Sequence, residues 1–315
     1  MSVQRILVLL LGLLLLAAGS DAALAADPVQ AATETSIPWW GWALILFVVS
    51  FGLGIVAVLG GVGGGVLFVP IVGGFFPFHF DFVRGAGLLV ALAGALAAGP
   101  GLLRSGMASL KLALPMGLIA SAAAIVGAMM GLALPTNYVQ IALGVTILGI
   151  VALMATAKKS EYPEVLKPDA LSVMLGIHGS YLERTLGKEV NWNIHRTAYG
   201  LLLFVLIGIM AGMFGLGAGW ANVPVLNLLL GAPLKVSVST SKFMLGIVDT
   251  AAAWVYLNQG AVLAVVAVPS IVGIMLGSLV GVRLLTRTKA AVIRKIVIGM
   301  LLLAGVRAVL KGFGI

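Results

Sequence analysis

GIMAGMFGLGAGWANVPV, running from Gly208 to Val225, stands inside an apolar run yet is too rich in glycine for an uninterrupted membrane helix. It also occurs twice. GIVAVLGGVGGGVLFVPI, from Gly54 to Ile71, lies 154 positions earlier, with Gly61/Gly215, Gly63/Gly217, Gly65/Gly219 and Pro70/Pro224 matching without a gap. The chain therefore reads as an internal duplication. Each glycine costs a helix about 1 kcal/mol against alanine, so clustered glycines followed by a proline predict a break in the backbone. At membrane depth the freed N–H and C=O groups are tolerated only against protein or a watery cavity. Breaks at matching places in two halves point to a transporter binding site, where half-helix N-termini offer amide hydrogens to an anion. The alternative reading, glycines that merely let helices pack closely, stays open.

A mean hydropathy of +1.18, with 61% hydrophobic and 9% charged residues among 315, excludes a soluble core under a polar surface. The chain reads as an all-α polytopic membrane protein. Its net charge of +9 does not indicate nucleic acid, because the basic residues flank apolar spans, as topology determinants do. With no cysteine, disulfides and thiolate chemistry are excluded. His79, His178 and His195 fall in loops, so no metal site or haem is expected, and no phosphate-binding glycine–lysine loop is present. No cofactor, catalytic residue or enzyme activity is expected.

Residues 1–25 have the form of a secretory signal peptide or signal anchor: Arg5, an apolar stretch from Ile6 to Ala18, and Ala23-Leu24-Ala25 as a cleavage site. Either version puts Trp39, Trp40 and Trp42 at the outer interface. Apolar segments follow at 39–59, 62–76, 84–104, 110–131 and 137–157, and again at 198–216, 217–231, 240–258, 261–282 and 292–311. Residues 39–157 thus form one membrane repeat and 197–315 the second. Between them, the 158–196 linker holds six basic and five acidic side chains, as a surface segment needs, and Pro168 to Leu186 is expected to form a short amphipathic helix or a hairpin.

Loop charge sets the orientation. Arg104 and Lys111 flank the turn after the third segment of the first half, and the turn after the fourth carries no charge. In the second half the pattern reverses, with Arg283, Arg287, Lys289, Arg294 and Lys295 after the fourth. Basic loops stay cytoplasmic, so equivalent loops lie on opposite sides and the two five-segment repeats read as inverted. The linker is then cytoplasmic, and Arg84, Arg307 and Lys311 are the exceptions to the rule.

Polar residues within the spans lie almost wholly in the second half: Asn222, Thr240, Ser241, Lys242 and Asp249 stand opposite Phe68, Ala86, Gly87, Leu88 and Ala95. Burying a carboxylate in a bilayer costs on the order of 3 kcal/mol, so Asp249 is expected to be partnered, protonated or functional. Lys242, two helical turns earlier, falls on the same face. Snorkelling of Lys242 to the interface, and a structural role for Asp249 or Asn222, are the plainer readings.

On the doubled glycine–proline motif, and on PLKVSVSTSKF from Pro233 to Phe243 after the second copy, the sequence resembles the sulfite exporter TauE/SafE family of membrane transporters. The resemblance runs from Trp39 to Gly312, and HGSYLERTLGKEV from His178 to Val190 is similar to the linker of a longer-chain branch. Ala86 and Gly87 stand where the family carries a threonine–serine pair. The resemblance implies movement of small sulfur-containing or organic anions across the bacterial inner membrane, most often export. The expected substrate ligands are Gly61, Gly63, Gly65, Gly215, Gly217, Ala218, Gly219, Asn222, Thr240 and Ser241, with Lys242 as counter-charge and Asp249 as coupling residue, by proton if Asp249 carries one. The expected partners are a small anion and the lipid bilayer, a homo-oligomer being compatible. A scaffold subunit acting through the linker and an anion channel are the alternatives.

Overall fold

A computed structural model describes residues 38–60, 63–104, 108–156, 163, 165, 167–183, 188–285 and 290–314. The signal segment, Gly61, Arg287 and Lys289 lie outside the described residues. The first half consists of α1 (Trp39–Gly60), α2 (Gly64–Phe75), α3 (Phe80–Arg104), α4 (Leu110–Ala133) and α5 (Thr136–Thr156). A short α6 (Ala170–Met174) and a hairpin of β1 (His178–Glu183) and β2 (Lys188–Asn193) occupy the linker. The second half consists of α7 (Thr197–Phe214), α8 (Gly219–Pro224) running into a π-helical turn (Val225–Leu229), α9 (Leu234–Asn258), α10 (Ala264–Leu285) and α11 (Ala290–Gly312). Every membrane element of one half has its counterpart in the other, and α3 and α9 coincide end for end at the 154-residue offset.

Six of the described helices are long and apolar enough to cross a membrane: α1, α3, α4, α5, α7 and α10. The chain is thus a helical multi-pass membrane protein, with a small hairpin added. Helix α2, at 12 residues, reaches about 18 Å, short of a bilayer core of about 30 Å.

Helices of the two halves interdigitate. The principal partner of α1 is α10, and that of α7 is α4. Both pairs run parallel: Phe47, Phe51 and Ile55 of α1 meet Gly273, Gly277 and Gly281 of α10 in order, and Ala120 and Ala124 of α4 meet Gly208 and Gly212 of α7. In each case a Cβ on the glycine would run into a facing backbone carbonyl or its immediate neighbour. Without a hydrophobic force between helices in lipid, such close backbone contact supplies the packing energy. Two other pairs run antiparallel. Gly144 of α5 meets Gly305 of α11, while Gly312 of α11 meets Ile141 of α5. Arg84 near the start of α3 lies over the Tyr256 ring near the end of α9, and the Ser109 amide beyond α3 donates to Thr240 Oγ1 near the start of α9 (3.1 Å).

The linker folds onto the second half. The Asp169 carboxylate accepts from the Thr197 amide (3.2 Å) and hydroxyl (2.7 Å), satisfying donors in the first turn of α7. Burial raises the Asp169 carboxyl, but these bonds and one with Ser172 outweigh it and hold the group below its ordinary value. In the hairpin, Gly179 pairs with Trp192 and Tyr181 with Val190. Tyr181 and Trp192 are buried, together with Ile177 and Ile194, in the same cluster as α4, α7 and α9.

Candidate functional site

The second-half break begins where α7 stops at Phe214. Gly215 and Gly217 both have left-handed backbone (φ 69° and 71°), and a Cβ on Gly215 would strike the Arg84 carbonyl. Only glycine meets both demands at Gly215. The chain turns twice and re-enters a helix at Gly219. In the first half the break lies before Gly64, with Gly63 extended. The two breaks meet: Gly63 and Gly219 approach so closely that a Cβ on Gly219 would lie 3.6 Å from the Gly63 Cα. Gly65 packs on the Leu216 carbonyl, 2.6 Å from the position of its absent Cβ, and Gly87 on the Gly215 carbonyl at 2.6 Å. Helices α2 and α8 therefore start from adjacent points, tip against tip.

A helix that stops inside a membrane leaves carbonyls without partners. At the end of α7 they are answered by side chains: the Tyr256 hydroxyl donates to Gly212 O (3.0 Å), and Arg84 Nη1 donates to Met213 O (2.9 Å). Arg84 is fully buried. Its guanidinium lies between the rings of Phe80 (5.2 Å) and Tyr256 (5.7 Å) and pairs with Asp81 one turn earlier. A cation at a helix C-terminus also suits the negative end of the helix dipole. In the first half, Lys311 Nζ of α11 donates to Gly73 O near the end of α2 (2.9 Å). Two basic residues that the loop-charge reading leaves as exceptions thus serve helix ends.

Asp249 of α9 is fully buried and faces the break: its Oδ2 lies 2.9 Å from where a Gly217 Cβ would stand. The Ala218 N–H approaches the carboxylate, but among the described residues no hydrogen bond of standard geometry reaches either oxygen. Lys242 is half-buried on the same helix and within electrostatic reach of Asp249. Leu245, between them, touches Gly219. Asn222 is fully buried one turn into α8, and neither its Oδ1 nor its Nδ2 has a partner among the described residues. The buried Nε1 of Trp220, next to Gly219, is also without one.

Of the residues singled out from sequence, Gly63, Gly65, Gly215, Gly217, Ala218 and Gly219 form the crossing, and Asp249 abuts it with Asn222 a turn away. Thr240 and Ser241 are buried, and the Thr240 oxygen is engaged by the Ser109 amide. Trp220 and Tyr256 carry no sequence signal that singles them out, and Arg84, beside Asp81, reads from sequence as an exception to the loop-charge rule. The Asp81–Arg84 spacing within one helical turn was the available signal. Asn227 is likewise not singled out; its Nδ2 donates to Ala232 O (2.9 Å) in the π-helical turn.

No curated protein and no solved structure matches the chain. The family described as Sulfite exporter TauE/SafE matches residues 46–308, from within α1 to within α11 and across both glycine breaks, and the chain belongs to that family.

Proposed function

We propose that the protein is a secondary transporter that exports a small sulfur-containing or organic anion across the bacterial inner membrane, with proton coupling through Asp249. Membership of the sulfite exporter family suggests sulfite or a related anion as cargo. The observation that carries the reading is the meeting of two helix starts at Gly63 and Gly219, beside the buried and unpartnered polar atoms of Asn222 and Asp249. Converging amides favour negative charge, and a buried polar atom without a partner is costly unless a ligand or water completes it.

Alternating access follows from two inverted repeats of five segments each rocking against one another. A two-fold relation in the membrane plane makes self-equivalent helices antiparallel, and the antiparallel α3/α9 and α5/α11 pairs support it. The parallel α1/α10 and α4/α7 pairs agree with the same topology. The amides around Gly217, Ala218 and Gly219, together with Asn222 and Ser241, hold the anion. Lys242 balances its charge, and Asp249 takes a proton when the cargo has left.

Flux of radiolabelled sulfite and small sulfonates into proteoliposomes tests this. Saturable flux above empty vesicles is expected, and Asp249→Asn should remove its dependence on pH. Flux that never saturates would indicate a channel. No flux for any sulfur oxyanion would leave a membrane scaffold as the better description.

A further inference from the structure

Resting on that reading of the site, we infer that the cargo is a monoanion that carries its own hydrogen-bond donor, an O–H or N–H, and that Trp220, Asn222 and Asp249 select for it. The argument is an inventory of what the crossing leaves unmatched. Trp220 Nε1 and Asn222 Nδ2 are donors, Asn222 Oδ1 and both Asp249 oxygens are acceptors, and all five are buried without partners among the described residues. A fully deprotonated oxyanion has only acceptors. It satisfies the two donor groups, but it leaves three buried acceptor atoms bare and sets its charge against Asp249. An anion with its own O–H or N–H lessens the deficit: its oxyanion end takes the indole and amide hydrogens, and its donor end bonds to a carboxylate oxygen, so fewer acceptors stay bare and the contact with Asp249 gains a hydrogen bond.

Placement supports that division. Gly217, against which Asp249 lies, is two residues before Gly219, where α8 begins with Trp220 and Asn222 in its first turn, so the residues that carry these groups adjoin one short turn. At the 154-residue offset Trp220, Asn222 and Asp249 stand opposite Val66, Phe68 and Ala95. Both ends of the cargo are thus read by the second half, and it binds in one orientation. Trp220 is a ligand in this arrangement, and it packs against both hydrophobic clusters, so rocking of one half against the other moves the surface it rests on.

Sites built to pair a polar group reject analogues lacking it far more strongly than apolar pockets reject a missing methylene. The test is affinity of the purified full chain, by isothermal titration, for three singly charged sulfonates of similar size: 2-hydroxyethanesulfonate, carbamoylmethanesulfonate and propane-1-sulfonate. At least one donor-bearing sulfonate should bind about tenfold or more tightly than propane-1-sulfonate; whether it is the hydroxyl or the amide tells the two donors apart. In Asp249→Asn the new amide offers hydrogens, and that ratio should fall towards one. Trp220→Phe should weaken all three by a similar factor and leave the ratio standing. Because each ratio is measured within one protein, loss of folded material does not distort it, and the wild-type ratio alone decides if a variant fails to fold. Equal binding of all three by the wild-type chain overturns the inference and leaves anion transport intact. A preference unchanged in Asp249→Asn removes Asp249 as the selecting group. No binding of any sulfonate, together with no sulfite flux, would remove the transport reading itself.

Discussion

Replacing Arg84 with leucine tests the most heavily connected side chain near the break. The change removes the bond from Nη1 to Met213 O, both ring contacts and the partner of Asp81. A hydrogen bond from a charged donor contributes about 1.5–3 kcal/mol, and each ring contact about 0.5–2 kcal/mol. Breaking one side of a buried ion pair costs about 3–5 kcal/mol, but that figure applies when both partners are enclosed. Arg84 is enclosed, whereas the Asp81 side chain is 25% exposed and can recover some hydration. These contributions overlap, so the lower end is expected, about 3 kcal/mol, or roughly a hundredfold in the unfolding constant. Unfolding by rising dodecyl sulfate in mixed micelles reads it directly. Arg84→Lys keeps the charge but loses the fork and should fall between. The double variant Asp81→Asn/Arg84→Leu should cost less than the two single changes added together, since it leaves no unpaired charge. An Arg84→Leu protein within about 0.5 kcal/mol of wild type would refute the role given to the guanidinium, because ordinary surface changes reach no further than that.

Asn222→Leu should fold at least as stably as wild type, because it removes two unpartnered buried atoms, and yet lose anion flux; loss of stability with flux retained would mean that Asn222 is structural. Gly212→Ala forces a methyl against the Ala124 carbonyl and should cost about 1–3 kcal/mol. Gly246→Ala meets nothing within 4 Å and should be neutral or gain up to about 1 kcal/mol in micelle unfolding. Asp169 ionises more readily in the folded chain than its ordinary value of 3.8, so its cap on α7 is in place at neutral pH and is lost as pH falls below about 4. Hydrogen exchange at the first amides of α7 should speed up there, and Asp169→Asn should remove most of that acid response.

The duplication made the order of the helices legible, since α3 and α9 coincide at the offset read from the glycine skeleton, while six of the described helices are long and apolar enough to cross a membrane. The largest miss in the helix bounds is at α9, expected from residue 240 and starting at Leu234. Its first turns hold Ser237, Ser239, Thr240 and Ser241, all buried against protein. Hydropathy measures fitness for lipid, and these side chains do not face lipid. The same limit hid Arg84: a charge in an apolar run reads as a violation of topology, and besides Asp81 its partner is the Met213 carbonyl, 129 positions away and left open because α7 breaks. The linker was open between helix and hairpin and contains both. Asp249 and Asn222 were legible as polar atoms in the wrong solvent, but Trp220 was not, because an indole near a span is ordinary and its unmatched hydrogen shows only once its surroundings are built.

The exchange of helices between halves has a consequence for biosynthesis. The glycine-faced surface of α10 that seats α1 is synthesised 225 residues after α1 begins, counting from Trp39 to Ala264. At roughly 5–20 residues per second, α1 waits about ten to forty-five seconds beside the translocon without its main neighbour. Each half made alone would lack the surfaces that bury it. Two separately expressed fragments, split in the 158–196 linker, should survive quality control only when they are produced together.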